Sequence, residues 1–209
     1  MRIMNRRTLL TLTALLPLPA AAQSFSAQDN ADIGRIERYL LTLRTLRARF
    51  LQIAPNGDTS EGSAWLQRPG RMRFEYDPPS PFLLVAGYGG VMFHDRKLQQ
   101  TSNFPLSQTP LGILLSDQPK LSGDITVEGI DRQPGLIQLT LFRTGHQGDG
   151  RLTLTFADTP LQLRQWSVLD AQRLETRVSL FNITLGETFD QKLFDVTDPR
   201  SQPGGTPGR

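Results

Sequence analysis

The sequence predicts a mainly β protein, an antiparallel sandwich or barrel of about ten or eleven short strands with one long helix. Three observations predict it. Apolar residues recur with period two in most runs after residue 45, as in Met72, Phe74 and Tyr76 between Arg71, Arg73 and Glu75. Turn-forming residues such as Pro55-Asn56-Gly57-Asp58 and Gln133-Pro134-Gly135 separate the runs at hairpin spacing. Helical spacing is sustained only near the start, where Ile33, Ile36, Leu40 and Leu43 fall three and four apart.

The first 22 residues read as a secretory signal. Arg2, Arg6 and Arg7 form a positive n-region, 8–18 is short and apolar, and Ala20-Ala21-Ala22 offers a small-residue cleavage site. Asn5-Arg6-Arg7-Thr8-Leu9-Leu10 also has twin-arginine character, so either export route is open. The whole chain carries 23 Lys and Arg against 20 Asp and Glu, and losing the leader removes three of the basic residues. The exported part is thus balanced and lacks the overall basic footprint that nucleic-acid binding needs. There is no Cys, so neither disulfides nor an N-terminal lipid anchor through Cys is expected. One domain over 23–199 and a disordered Pro/Gly-rich tail over 200–209 complete the predicted organisation.

In order, 26–44 is predicted helix, with Ser26 or Asp29 as its cap and one apolar stripe for packing on a sheet. Strands are predicted at 46–50, 60–67, 71–76, 82–86, 91–94 and 98–102. The run 107–116 breaks the period. Thr109 as N-cap and Pro110 at the first helical position predict a short helix, apolar nearly all round. It is either a lid over an apolar opening or a fixed plug in the core. Strands follow at 125–130, 136–142, 151–156, 161–169 and 174–181, and 193–196 is predicted as the last.

Catalytic and metal-binding constellations are sparse. The two histidines, His94 and His146, lie apart, and no serine has a nucleophile-elbow context. No cluster has metal-ligand spacing, and no cofactor motif is present. Arg68 ends an otherwise apolar strand before Pro69-Gly70. Left in solvent it is a turn residue. If covered, its five donors need acceptors, and the carbonyls of a lid would serve.

The order of these pieces resembles the periplasmic outer-membrane lipoprotein carrier (LolA) family. The resemblance runs through Leu43 to Gln52, through Gly62-Ser63-Ala64-Trp65-Leu66-Gln67-Arg68-Pro69-Gly70-Arg71-Met72-Arg73-Phe74-Glu75-Tyr76, then Leu84-Val85-Ala86-Gly87, Phe93-His94-Asp95, Thr109-Pro110-Leu111 and Trp166-Ser167-Val168-Leu169-Asp170. It implies an incomplete, half-open antiparallel β-barrel of about 11 strands, closed by the N-terminal helix and a short helical lid. It also implies a monomeric periplasmic chaperone, not an enzyme. Such a chaperone takes lipoprotein acyl chains from an inner-membrane lipoprotein-releasing ABC transporter to an outer-membrane lipoprotein receptor. Arg68 corresponds to the family's lid-bonding arginine. Phe50, Trp65, Met72, Phe74, Leu83, Leu84 and Phe93 are the expected cavity wall, with Leu111, Leu114 and Leu115 in the lid. A periplasmic lipid-binding sensor or protein-interaction domain of the same fold is the alternative, and a secreted serine hydrolase using His94 or His146 a third.

Overall fold

The computed structural model describes residues 25–197. The expected signal at 1–22 and tail at 200–209 lie outside them.

Helix α1 spans Ala27–Thr42. The Ser26 hydroxyl accepts from the Asp29 amide at 3.1 Å and the Asp29 carboxylate accepts from the Ser26 amide at 2.9 Å. This reciprocal capping box settles which residue caps the helix. Ile36 and Leu40 are buried on the sheet side. The Tyr39 ring meets Phe156 edge-on at 5.6 Å, and its hydroxyl accepts from the Leu163 amide at 3.1 Å.

Eleven strands follow: β1 (Thr45–Ile53), β2 (Thr59–Gln67), β3 (Arg71–Tyr76), β4 (Phe82–Gly87), β5 (Gly90–Asp95) and β6 (Gln100–Pro105), then β7 (Ile125–Gln133), β8 (Leu136–Arg143), β9 (Gly150–Ala157), β10 (Gln162–Asp170) and β11 (Glu175–Leu185). They form one antiparallel sheet in the order β6-β5-β4-β3-β2-β1-β11-β10-β9-β8-β7. The chain therefore builds outward from β1 to one edge, crosses to the other edge through the connection that holds α2 (Leu111–Leu114), and works back to pair β11 with β1. The two halves meet at that pairing, and β6 and β7 remain as edges.

The sheet is strongly curled. Phe74 on β3 and Trp166 on β10 stand four strand spacings apart, about 19 Å in a flat sheet. Their rings meet at 5.8 Å. One continuous core fills the inner face, running from Leu46, Phe50, Leu66 and Met72 through Leu139, Leu152 and Phe156 to Leu180, with Ile36, Leu40 and the α2 region packed on it. At Gly62 a Cβ would lie 2.2 Å from the Glu75 carbonyl oxygen and 2.6 Å from the Phe50 ring. That glycine lets the Phe50 ring lie on β2.

Three predicted boundaries need correction. The strand expected at 98–102 begins at Gln100, because the Asp95 carboxylate accepts from the Lys97 and Leu98 amides at 2.8 and 3.0 Å and holds a turn there. The helix expected over 107–116 is a 3-10 turn, Leu106–Gln108, followed by the single turn of α2. Thr109 is not the N-cap of α2: it closes the 3-10 turn, its amide and hydroxyl both donating to the Leu106 carbonyl at 3.0 and 2.9 Å, and Pro110 stands just before α2. The strand expected at 193–196 is a 3-10 turn, Gln191–Phe194, begun by Asp190, whose carboxylate accepts from the Lys192 amide at 2.9 Å. This segment lies across the outer face of β3 and β4. The Arg73 guanidinium donates to the Leu193 carbonyl at 3.3 Å, and Val196 packs on the outer cluster of Leu83, Val85 and Met92. A Cβ at Gly87 would fall 2.3 Å from the Phe194 carbonyl oxygen, so this close crossing needs glycine.

Candidate functional site

The β2–β3 turn holds Arg68 at one end of the curled sheet. Arg68 is only 5% exposed. Its Nη1 donates to the carbonyl of Leu40, in the last turn of α1. Carbonyls in that turn have no partner within the helix and carry its negative end, which suits a cation. Nε and Nη2 are buried without a partner among the described residues. Burial, reinforced by the nearby positive charge of Arg44, lowers the Arg68 pKa to about 10.

The expected lid carbonyls are not the acceptors of this side chain. Contact with the lid runs instead through the turn backbone: the Gly70 amide donates to the Leu115 carbonyl, just past α2, at 2.9 Å. The Arg68 amide donates to the Arg44 carbonyl at 2.8 Å. Sequence alone could not identify Leu40 as the acceptor, since it lies 28 residues away.

Inside the curl is a hollow of about 600 Å³, within the usual range of roughly 300–1,000 Å³ for small-molecule sites. Met72, Phe74, Tyr76, Leu84 and Val91 line it from β3 to β5, and Trp166, Val168 and Val178 from β10 and β11. Leu106, Pro110 and Leu111 cover it from the lid segment. Aromatic contacts brace this wall: Phe50 to Tyr76 at 5.1 Å, Tyr76 to Phe82 at 5.8 Å and Phe82 to Phe93 at 5.2 Å. Polar residues gather where β1 and β3 end and β10 turns into β11, namely Gln52, Asp170, Gln172 and Thr176. The Tyr76 hydroxyl donates to Gln52 Oε1 at 2.7 Å, and burial pushes the Tyr76 pKa up to about 12.

The expected wall residues divide into three groups. Met72, Phe74, Leu84 and Leu111 border the hollow. Phe50, Leu114 and Leu115 are wholly buried around it, Phe50 against the Phe74 ring at 4.6 Å. Phe93, paired across strands with Leu84, shares the inner face but stands beyond the lining residues.

Trp65 and Leu83 are corrections: both belong to the outer face. On β2 the inner positions are Gly62, Ala64 and Leu66, so Trp65 points the other way, level with Arg47 and Arg73. Leu83 precedes the inward Leu84 and joins the outer cluster. Size suggested Trp65, but parity decides. Trp166 was missed for a related reason. A bulge between Leu163 and Gln165 shifts the period, so Leu163 and Trp166, three apart, both enter the inner core.

The histidines occupy separate settings. His94 is buried, with Nδ1 2.9 Å from the Thr101 hydroxyl, and the exposed His146 lies 3.2 Å from Asp149.

An open sheet curled round a helix-covered apolar hollow defines the class, a half-open β-barrel. A family model described as outer membrane lipoprotein carrier protein LolA matches residues 41–197. An outer-membrane lipoprotein carrier protein of Methylococcus capsulatus is 30% identical over 195 residues, covering 88% of this chain and 93% of that one. Its namesake in Pseudomonas aeruginosa is 27% identical over 198 residues, covering 87% and 91%. Similar solved structures include a putative outer membrane lipoprotein-sorting protein domain from Vibrio parahaemolyticus, 10% identical with a TM-score of 0.46, covering 78% of this chain and 95% of that one. The chain belongs to the outer-membrane lipoprotein carrier protein family. That family is named for transport, not for a catalysed reaction.

Proposed function

We propose that this protein is a periplasmic chaperone that shelters lipoprotein acyl chains in its hollow and carries them from the inner to the outer membrane. It receives them from a lipoprotein-releasing ABC transporter and gives them up to an outer-membrane lipoprotein receptor. The observation that carries the reading is the apolar hollow between the inner sheet face and the lid segment. At about 30 Å³ for a group the size of a water, it has room for about twenty methylenes, roughly one long acyl chain. Burial contributes about 0.8 kcal/mol per methylene, so ten methylenes give about 8 kcal/mol. That is enough to hold cargo without a charged contact. An open-edged sheet lets the same burial be reversed at handover.

The test has two parts. Native mass spectrometry of protein taken from the periplasm should show bound acyl material. Proteoliposomes carrying the transporter and a lipoprotein should release that lipoprotein in a soluble complex only when this protein is added. An empty protein that releases nothing would sink the proposal. An empty protein bound to a membrane-protein partner would favour the sensor reading instead.

A further inference from the structure

One long polar side chain looks into the apolar hollow from the middle of the sheet. Gln52 continues the inward series Leu46, Ala48 and Phe50 on β1, and it lines the hollow near the mouth. Its Oε1 is occupied by the Tyr76 hydroxyl at 2.7 Å. Its Nε2 has no hydrogen-bond partner among the described residues and therefore has two N–H donors to offer. Tyr76 is buried and burial raises its pKa, so its hydroxyl keeps the proton that it donates to Oε1. Thr176, on the neighbouring β11, adds a hydroxyl to the same stretch of wall. Toward Leu46, at the other end of β1, the inner face is filled: Leu46, Leu66 and Leu115 are buried in the core with Ile36 and Leu40 of α1, and the Gly70 amide ties the Arg68 turn to Leu115.

An amphiphile meets opposite conditions at these two ends. A chain that fills the hollow takes the Gln52 amide out of solvent. A ligand without an acceptor at that point strands the donors, at a penalty on the order of tenfold in affinity. An acyl group places one strong acceptor, its carbonyl oxygen, at the head of an apolar tail. We infer that Gln52, held in place by Tyr76, binds the acyl carbonyl, so that the chain lies methyl-first toward the filled end with its head group at the mouth. This rests on the reading that the hollow takes acyl chains. Both ester-linked and amide-linked acyl groups present that carbonyl.

The test compares 1-lauroyl-glycerol with 1-O-dodecyl-glycerol, which differ in that carbonyl, by titration calorimetry on the exported chain. Lauroyl ethanolamide is the amide arm and shows which linkage is preferred. Wild type should bind at least one carbonyl compound about tenfold tighter than the ether. Gln52→Met should erase the preference while leaving ether affinity equal or higher. Gln52→Glu keeps an acceptor for Tyr76 but no N–H donor, and it should erase the preference too. Loss of a ratio, with ether binding intact, is not an effect that misfolding produces. Equal affinities in wild type, or a ratio that survives both substitutions, would remove the role given to Gln52 and leave the acyl-chain reading standing. If wild type bound none of the three compounds, the acyl-chain reading would fall and this one with it.

Discussion

Replacing Arg68 with methionine should make the protein more stable. The guanidinium is almost fully buried, has one hydrogen bond to the end of α1, and leaves Nε and Nη2 unpartnered among the described residues. Burial takes its pKa from the usual arginine range to about 10. A tenfold change in proton affinity is about 1.4 kcal/mol, so keeping the cation in this site costs about 3 kcal/mol. Losing its bond to the Leu40 carbonyl removes about 2 kcal/mol, the worth of a hydrogen bond from a charged donor. The difference favours methionine by about 1 kcal/mol, in line with other buried charges exchanged for apolar groups of similar bulk. For a chain of this size that is about 2–4 °C in Tm. Differential scanning calorimetry at pH 7 measures it. Arg68→Lys, which keeps the charge but loses the planar fork, should show no gain. A fall of several degrees in Arg68→Met would show instead that the buried cation is fully paired.

Two further outcomes follow from the hollow. Tyr76 is neutral in both folded and unfolded chains below pH 10. Because its folded pKa is about 12, the unfolded chain ionises first as pH rises from 10 to 12, and stability falls by about 3 kcal/mol over that window. Thermal melts across the window should show a shallower decline in Tyr76→Phe, and equal slopes would rule out this origin. Leu84→Trp should weaken binding of a fluorescent acyl probe at least tenfold by filling the hollow, whereas Trp65→Ala, on the other face, should leave it within about twofold. Fluorescence titration separates them, and the reverse ranking would place the ligand on the outer face.

The strands were legible because period two survives in Met72, Phe74 and Tyr76, and hairpins need little beyond their own turn residues. The capping box at Ser26 is equally local. What sequence could not give was facing wherever parity is ambiguous. Leu83 and Leu84 are adjacent and identical, and only the register of β4 against β3 and β5 turns Leu84 inward. The bulge in β10 moves Trp166 to the inner face without a local mark in the sequence. Phe194 and Val196 alternate as strand residues do, yet they serve a segment laid across the outside of the sheet. The partner of Arg68 was hidden because α1 reaches it only once the chain has folded back on itself.

The seam between β6 and β7 was left unsewn. A sealed barrel has its bore fixed by strand number and stagger, and can widen only by tearing ladder bonds. An open sheet carries no such constraint, because a change of girth need break no rung of the ladder. If the hollow takes acyl chains as proposed, such a sheet could accept guests of unequal bulk where a closed barrel could not.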